Sequence, residues 1–311
     1  MNHTRDQKDI ARTTIEFSAL DIPEVVLLGR YDYVQAHPPL KPHLHKDIFE
    51  VCFLANGAQT YVAGTTRYNL AGGDLFITKP GEIHSTGREP QNKGRLYWIQ
   101  FRFTAEGQSF LGLTPQEAHT LMRRFLSLPT RHFRNGNLLA PTFDRILAAY
   151  ADTHNPLRAV DVRNLLLRLA LDIIGIAERR IARPYSIGIQ NAIHHIEQHP
   201  TQFPDLKVLA HAAHMSDSYF KRIFKHETGM PPLEYAMWRR MENAKHLLRT
   251  TNYPVTRLAM EMGFATSQHF ATVFKRLTGF TPSAFRQRAH LRIRHQSPSN
   301  GAGPGFHPTE P

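Results

Sequence analysis

The stretch RLAMEMGFATSQHFATVFKRLTGFTPSAFR, Arg257–Arg286, decides how the rest of the chain is read. A short apolar segment leads to Gly263, where a turn needs a permissive backbone. Thr266 or Ser267 can then cap a helix by accepting a backbone N–H. In that helix Phe270, Val273 and Phe274 recur at three- and four-residue spacing, so they share a buried stripe. Gln268, His269, Thr272, Lys275 and Arg276 are left for solvent or ligand, and Gly279 ends the helix. An earlier stretch, LAHAAHMSDSYFKRIFKHETGMPPLEY, Leu209–Tyr235, repeats the plan. There Ser216 is the expected cap, Phe220, Ile223 and Phe224 make the stripe, and Ser218, Lys221, Arg222 and Lys225 lie off it. Each unit closes on Thr-Gly, with an apolar residue and a proline soon after. A basic outer face on one amphipathic helix commonly means only solubility. Helix, tight turn and basic second helix used twice points to double-stranded DNA.

Leu206–Gln287 resembles the DNA-binding domain of AraC/XylS-type transcription regulators, through these same two stretches. The resemblance implies seven helices. Two recognition helices would enter successive major-groove segments, joined by a long helix at about Pro232–Arg249. Tyr235, Met241, Ala244, Leu247 and Leu248 fit the packing faces of that helix. Ala265-Thr266 departs from the family habit of a small and an acidic residue there. RNA polymerase is a further partner such a regulator can meet.

The 311 residues can hold two domains with real cores, and 41% hydrophobic content argues for globular packing. Formal charge is +12 and uneven: residues 1–180 hold 22 Lys and Arg against 18 Asp and Glu, residues 181–311 hold 16 against 8. A basic C-terminal half suits a polyanion, with counterion release driving affinity. No run nears the roughly 18 apolar residues of a spanning helix, and no secretory signal opens the chain. A cytoplasmic protein without membrane attachment is expected. The single cysteine, Cys52, excludes an intrachain disulfide and reads as a buried small hydrophobe.

Ahead of the basic half, short strand-like runs alternate with Gly and Pro turns. The runs are Glu24–Tyr33, Phe49–Leu54, Gln59–Ala63, Thr65–Leu70, Leu75–Thr78 and Arg95–Phe103. Ala55-Asn56-Gly57, Ala71–Asp74 and Lys79–Gly81 read as turns. The pattern indicates a small barrel or sandwich. This region resembles a cupin, the sensor barrel of many AraC-type regulators. His43, His45, Glu50 and Gly57 match its first motif; Gly73-Asp74, Pro80-Gly81 and His84 match its second. His37 stands where the first motif opens with glycine, and Gly73 to Pro80 is one residue longer than usual.

His43 and His45 are two apart, so on a strand they face one way. With Glu50 and His84 they supply three imidazoles and a carboxylate, a set that can hold a divalent metal. The same four can instead hydrogen-bond a small polar effector, and His84 can equally be a satisfied core histidine. No cofactor is required on this reading. Arg30, Tyr31, Tyr33, Tyr61, Thr78, Trp98 and Gln100 are further lining candidates from neighbouring strands, although aromatics there can be plain core.

Helices are expected at Pro115–Leu128, Thr142–Asp152 and Arg158–Glu178, with a loop at Pro129–Leu139. The last helix has apolar positions on more than one face, from Val162 to Ile174, and either is deeply buried or covers a partner. The resemblance implies a homodimer through this segment. Ile189, Ile193 and Ile196 share the face of a helix at Ile187–His199. The expected organisation is two-domain α+β. A tail at 1–14 precedes a cupin-like β-barrel with a helical dimerisation segment at 15–180. A linker at 181–186 joins it to an all-α DNA-binding domain with two helix-turn-helix units at 187–289, and a disordered tail follows at 290–311.

The expected function is a ligand-responsive, sequence-specific transcription regulator, sensing a small polar metabolite such as a sugar, and not an enzyme. Two alternatives stay open: a metal cupin enzyme fused to a DNA-binding domain, and a regulator whose barrel is only a dimerisation scaffold.

Overall fold

The computed structural model describes residues 12–103, 108–134, 139–178 and 185–288. The tail at 290–311 lies outside them, as does the linker except for Tyr185 and Ser186. The chain forms an N-terminal antiparallel sheet domain followed by a helical domain.

Eight strands make the sheet: β1 (Arg12–Glu16), β2 (Val25–Tyr33), β3 (Ile48–Ala63), β4 (Thr66–Ala71), β5 (Asp74–Thr78), β6 (His84–Ser85), β7 (Gly94–Arg102) and β8 (His132–Arg134). The hydrogen-bonded order is β1-β2-β7-β3-β5-β8, with β4 and β6 also pairing with β3. Among the described residues this path is open at β1 and β8. Strand alternation sorts the side chains. Val51, Phe53, Tyr97, Ile99 and Phe101 turn to one face, where helices cover them. Cys52, Leu54, Phe76 and Trp98 turn to the other, with Tyr31, Tyr33 and Tyr61.

Three sequence expectations change here. The turn expected at Asn56-Gly57 is a bulge inside one long strand. The register with β7 shifts between Leu54 and Asn56, and Gly57 takes φ +97° with the Lys93 carbonyl 2.5 Å from where a Cβ would sit. The bulge lets β3 pair with β7 and β5 along its first half and with β4 and β6 along its second. The tail expected at 1–14 yields an edge strand from Arg12, paired with β2. The loop expected at Pro129–Leu139 contains β8, whose Phe133 lies opposite Leu75. None of these short edge pairings has a sequence signature.

Helices α1 (Pro115–Leu126), α2 (Ala140–Ala151) and α3 (Arg158–Glu178) cover the apolar face. Thr114 and Glu117 form a reciprocal capping box at the start of α1. On α3, Val162, Leu166, Leu169, Ile173 and Ile174 are buried against the sheet and α2.

The helical domain holds α4 (Ile187–Gln198), α5 (Leu206–Ala212), α6 (Asp217–Thr228), α7 (Pro232–Thr250), α8 (Val255–Glu261) and α9 (Ser267–Thr278), with a further helical stretch over 282–288. Ile189, Ile193 and Ile196 of α4 pack with Phe220 and Phe224 of α6 in one cluster. Phe264, Phe270 and Phe274 pack with Phe285 in another. The long α7 serves both: Tyr235 and Ala236 sit in the first, Met241, Ala244 and Leu248 in the second. It therefore fixes the spacing of the two helix pairs. No described helix is long and apolar enough to cross a membrane.

Candidate effector site and nucleic-acid interface

Glu50 shares the Cys52 face of β3 and lies opposite Gln100 on β7 and Thr78 on β5. His43 and His84 meet across an isolated bridge, joined by backbone hydrogen bonds of 3.1 and 2.9 Å. Their rings stand 4.2 Å apart, with the His45 ring 5.3 Å from His43. His84 Nε2 donates to Glu50 Oε1 at 3.2 Å, and Gln100 Nε2 donates to Glu50 Oε2 at 2.7 Å. His45 Nε2 stands 3.5 Å from Glu50 Oε2. One donor atom from each of His43, His45, Glu50 and His84 falls within 4.8 Å of all the others.

The charges in the cluster support each other. Burial pushes the Glu50 carboxyl up, but hydrogen bonds from His45, His84 and Gln100 outweigh it and hold it well below the usual carboxylate range. Burial pulls His84 down, and the hydrogen bond and charge of Glu50 more than restore it, so its pKa is raised. His84 Nδ1 also faces the Glu82 carbonyl at 3.1 Å, so both ring nitrogens have acceptors, as an imidazolium requires. Burial and the Glu50 charge push the nearby Cys52 thiol up, which keeps it an inert, neutral neighbour.

Beside His43 opens a groove of about 410 Å³, lined by Tyr33, His37, Pro38, Leu40 and Gln91 among others. The other predicted lining residues divide. Gln100 joins the cluster, and Thr78 is buried next to Glu50 in register. Tyr31 stacks on Tyr33 at 3.9 Å and Tyr61 on Phe76 at 4.8 Å, so these aromatics fill the interior. Trp98 lies flat over Gly29, where a Cβ would come within 2.0 Å of the indole. Arg30 does not belong to the site. It alternates with Tyr31 onto the helix-covered face and ion-pairs with Asp144 of α2 at 3.6 Å. His37 and Gln91, which wall the groove through their own bridge, carried no sequence signal for that role.

On the helical domain, Ser218, Lys221, Arg222 and Lys225 of α6 are exposed, as are Gln268, His269, Thr272, Lys275 and Arg276 of α9. Arg222 lies over the exposed Tyr219 ring at 5.1 Å. The His269 ring leans on Phe264 at 5.3 Å, and Arg276 faces a crevice shared with Val34 and Lys93 of the sheet domain. Thr266 caps α9 by accepting from His269 N at 3.1 Å. Ser216 occupies the same position before α6 but makes no side-chain cap bond, contrary to the sequence expectation.

Two family models match the chain: an AraC-like ligand binding domain over residues 29–167 and a helix-turn-helix domain over residues 209–288. The chain belongs to the AraC family of transcription regulators. The arabinose operon regulatory protein of Salmonella typhimurium is 29% identical over 69% of this chain and 74% of its own length. An uncharacterized regulator of Bacillus subtilis, YisR, is 25% identical over 79% of this chain and 88% of its own length. The DNA-binding domain of AdpA, solved with a target DNA, is 32% identical over 36% of this chain and all of its own, with a TM-score of 0.33. As an AraC-type regulator, the protein is a ligand-responsive, DNA-binding transcription factor with its ligand-binding domain ahead of its DNA-binding domain.

Proposed function

We propose that the sheet domain is a cupin-like sensor cup, and that its effector is a small, hydroxyl-bearing polar metabolite such as a sugar. The observation that carries this is the convergence of His43, His45, Glu50 and His84, of which His43 also lines the Tyr33–Gln91 groove. The cluster is internally hydrogen-bonded, but His43 and His45 stay partly exposed and can present it to a ligand. The set offers both donors and acceptors, which suits hydroxyl groups, and one relative is named for the arabinose operon. The test changes His43, His45 and His84 together to Ala and follows melting temperature across a panel of sugars and related polyols. The wild type should be stabilised by its effector, and the triple variant should lose that shift while still binding DNA. An unaltered shift in the variant would place the effector elsewhere.

A divalent metal in the same place is the second reading. His43 Nδ1 donates to the Lys41 carbonyl at 2.9 Å and His84 Nδ1 faces that of Glu82. Backbone carbonyls on Nδ1 orient a histidine to ligate through Nε2. His43, His45, Glu50 and His84 would hold the ion, which would give the effector a Lewis-acidic anchor. Metal analysis of the purified protein separates the two readings.

On the DNA side, both helix pairs act as helix-turn-helix units, with Lys221, Arg222, Gln268 and Thr272 reaching the major groove and Lys225 and Lys275 meeting phosphates. The protein works as a cytoplasmic homodimer, not as an enzyme, and its relatives are named as regulators. Leu157, Val160 and Leu171 are exposed at helical spacing along and just before α3. They lie on the side away from the buried face, with exposed Asn164 and Arg168 between them, a mixed surface that a second copy can cover. RNA polymerase is the remaining partner of such a regulator.

A further inference from the structure

A carboxylate outside the effector cluster is nearly removed from water. Glu89 lies in the loop between β6 and β7 and is 5% exposed. Its Oε1 accepts from Arg67 at 3.1 Å within the sheet domain and from Arg249 of α7. The Lys245 ammonium of α7, itself buried, stands 3.4 Å from Oε2, at ion-pair distance but without hydrogen-bond geometry. Two of the three cations on Glu89 thus come from the helix that spaces the two DNA-binding helix pairs. Burial pushes the Glu89 carboxyl up, and the charges of Lys245, Arg249 and Arg67 more than reverse this and hold it low. Charges buried this way add little net stability over apolar packing, but removing one partner leaves the other stranded. That property suits a contact that selects one arrangement of two domains and can be released.

The same loop is tied to the effector groove at both ends. His84, five residues before Glu89, is a cluster residue bridged to His43. Gln91, two residues after it, bridges to His37 and walls the groove. Between them the Thr86 hydroxyl donates to the Glu89 carbonyl at 2.7 Å and accepts from Leu40 N at 2.9 Å. Two groove-lining residues, Leu40 and Gln91, are thus joined directly to the segment that carries Glu89.

We propose that Glu89 is the sensor-domain anchor for α7, holding the DNA-binding domain docked until the effector displaces the 84–91 segment. The effector half of this statement rests on the groove reading above; the anchor itself rests on the ion pairs alone. Docking restrains both helix pairs through α7 and keeps Arg276 of α9 at the domain crevice. Release frees them to adapt to DNA.

The test uses the full-length protein and Glu89→Gln. A second ion pair across the domains, Lys93 Nζ to Glu234 Oε1 at 2.9 Å, provides the reporter. A zero-length carbodiimide should join Lys93 to Glu234 in the wild type, detected by peptide mass spectrometry. Glu89→Gln should lower that crosslink several-fold. It should also raise effector-free affinity for a duplex enriched from a random pool by roughly tenfold, the scale of an ordinary coupling between sites. Should Glu89→Gln fold poorly, Arg249→Met breaks the anchor from the partly exposed side and should give the same two changes. An unchanged crosslink in a folded variant overturns the proposal. Failure of the wild type to enrich any duplex would instead count against the DNA-binding assignment, and the crosslink would still decide the anchor.

Discussion

Phe220 and Phe224 in α6 and Phe270 and Phe274 in α9 form the same buried stripe, and both helices end on a left-handed glycine, Gly229 and Gly279. The ends even share a hydrogen-bond pattern. Thr228 Oγ1 donates to the carbonyls of Phe224 and Met230, and Thr278 Oγ1 to those of Phe274 and Phe280. Their surroundings differ. Gly229 meets Gly72 of the sheet domain backbone to backbone, so a Cβ on Gly72 would lie 2.5 Å from the Gly229 Cα. Ala58 of β3 joins the core of the first helix pair. At Gly279 the nearest atoms of the sheet domain, on Pro90 and Ala36, are at ordinary contact distance. The first unit meets the sheet domain backbone to backbone, whereas the second meets it through side chains, so two units with the same buried stripe and the same helix end make unlike contacts.

The largest expected effect comes from emptying each core. Phe224→Ala and Phe274→Ala should each cost about 3–5 kcal/mol, because both rings are fully buried. Only Phe224→Ala should also weaken the Lys93–Glu234 crosslink, since its cluster includes Ala58. Equal crosslink losses from both variants would erase the distinction drawn between the two units.

On DNA the comparison sharpens further. Arg222→Ala should lose about 1–3 kcal/mol on the preferred duplex and relax preference at one base pair, if the guanidinium reads guanine. Arg276→Ala should lose less, because Arg276 faces the domain crevice. Titrations on matched and mismatched duplexes decide this, and a uniform loss for Arg222→Ala would reduce it to a phosphate contact.

The smallest effect concerns the caps. Thr266→Ala removes a cap bond and should cost about 1 kcal/mol in chemical denaturation. Ser216→Ala removes none and should cost only a few tenths. Equal costs would mean that Ser216 caps α6 in solution.

Local periodicity made the helical half readable. Ile189, Ile193 and Ile196, the two phenylalanine stripes and the extent of α3 all follow from spacing along one chain segment, because a helix satisfies its backbone within itself. The sheet half was readable mainly where residues alternate. Glu50, His43, His45 and His84 group through a resemblance in motif spacing, whereas Arg30, next to Tyr31 in sequence, faces the opposite side of the sheet because strand neighbours alternate. The Asn56-Gly57 pair looked like a turn because a bulge and a turn call on the same glycine conformation. Glu89 gives no signal of its role between the domains, since its α7 partners lie 156 and 160 residues further along the chain.

The sequence alone determined that two basic-faced helix pairs sit behind a strand-rich domain, because these features depend on neighbours within a few residues. Only the tertiary structure decided which strand face carries the cluster, that a groove reaches His43, and that Glu89 meets Lys245 and Arg249 across the domains. Those outcomes depend on register and docking between segments far apart in the chain, where residue spacing carries no information.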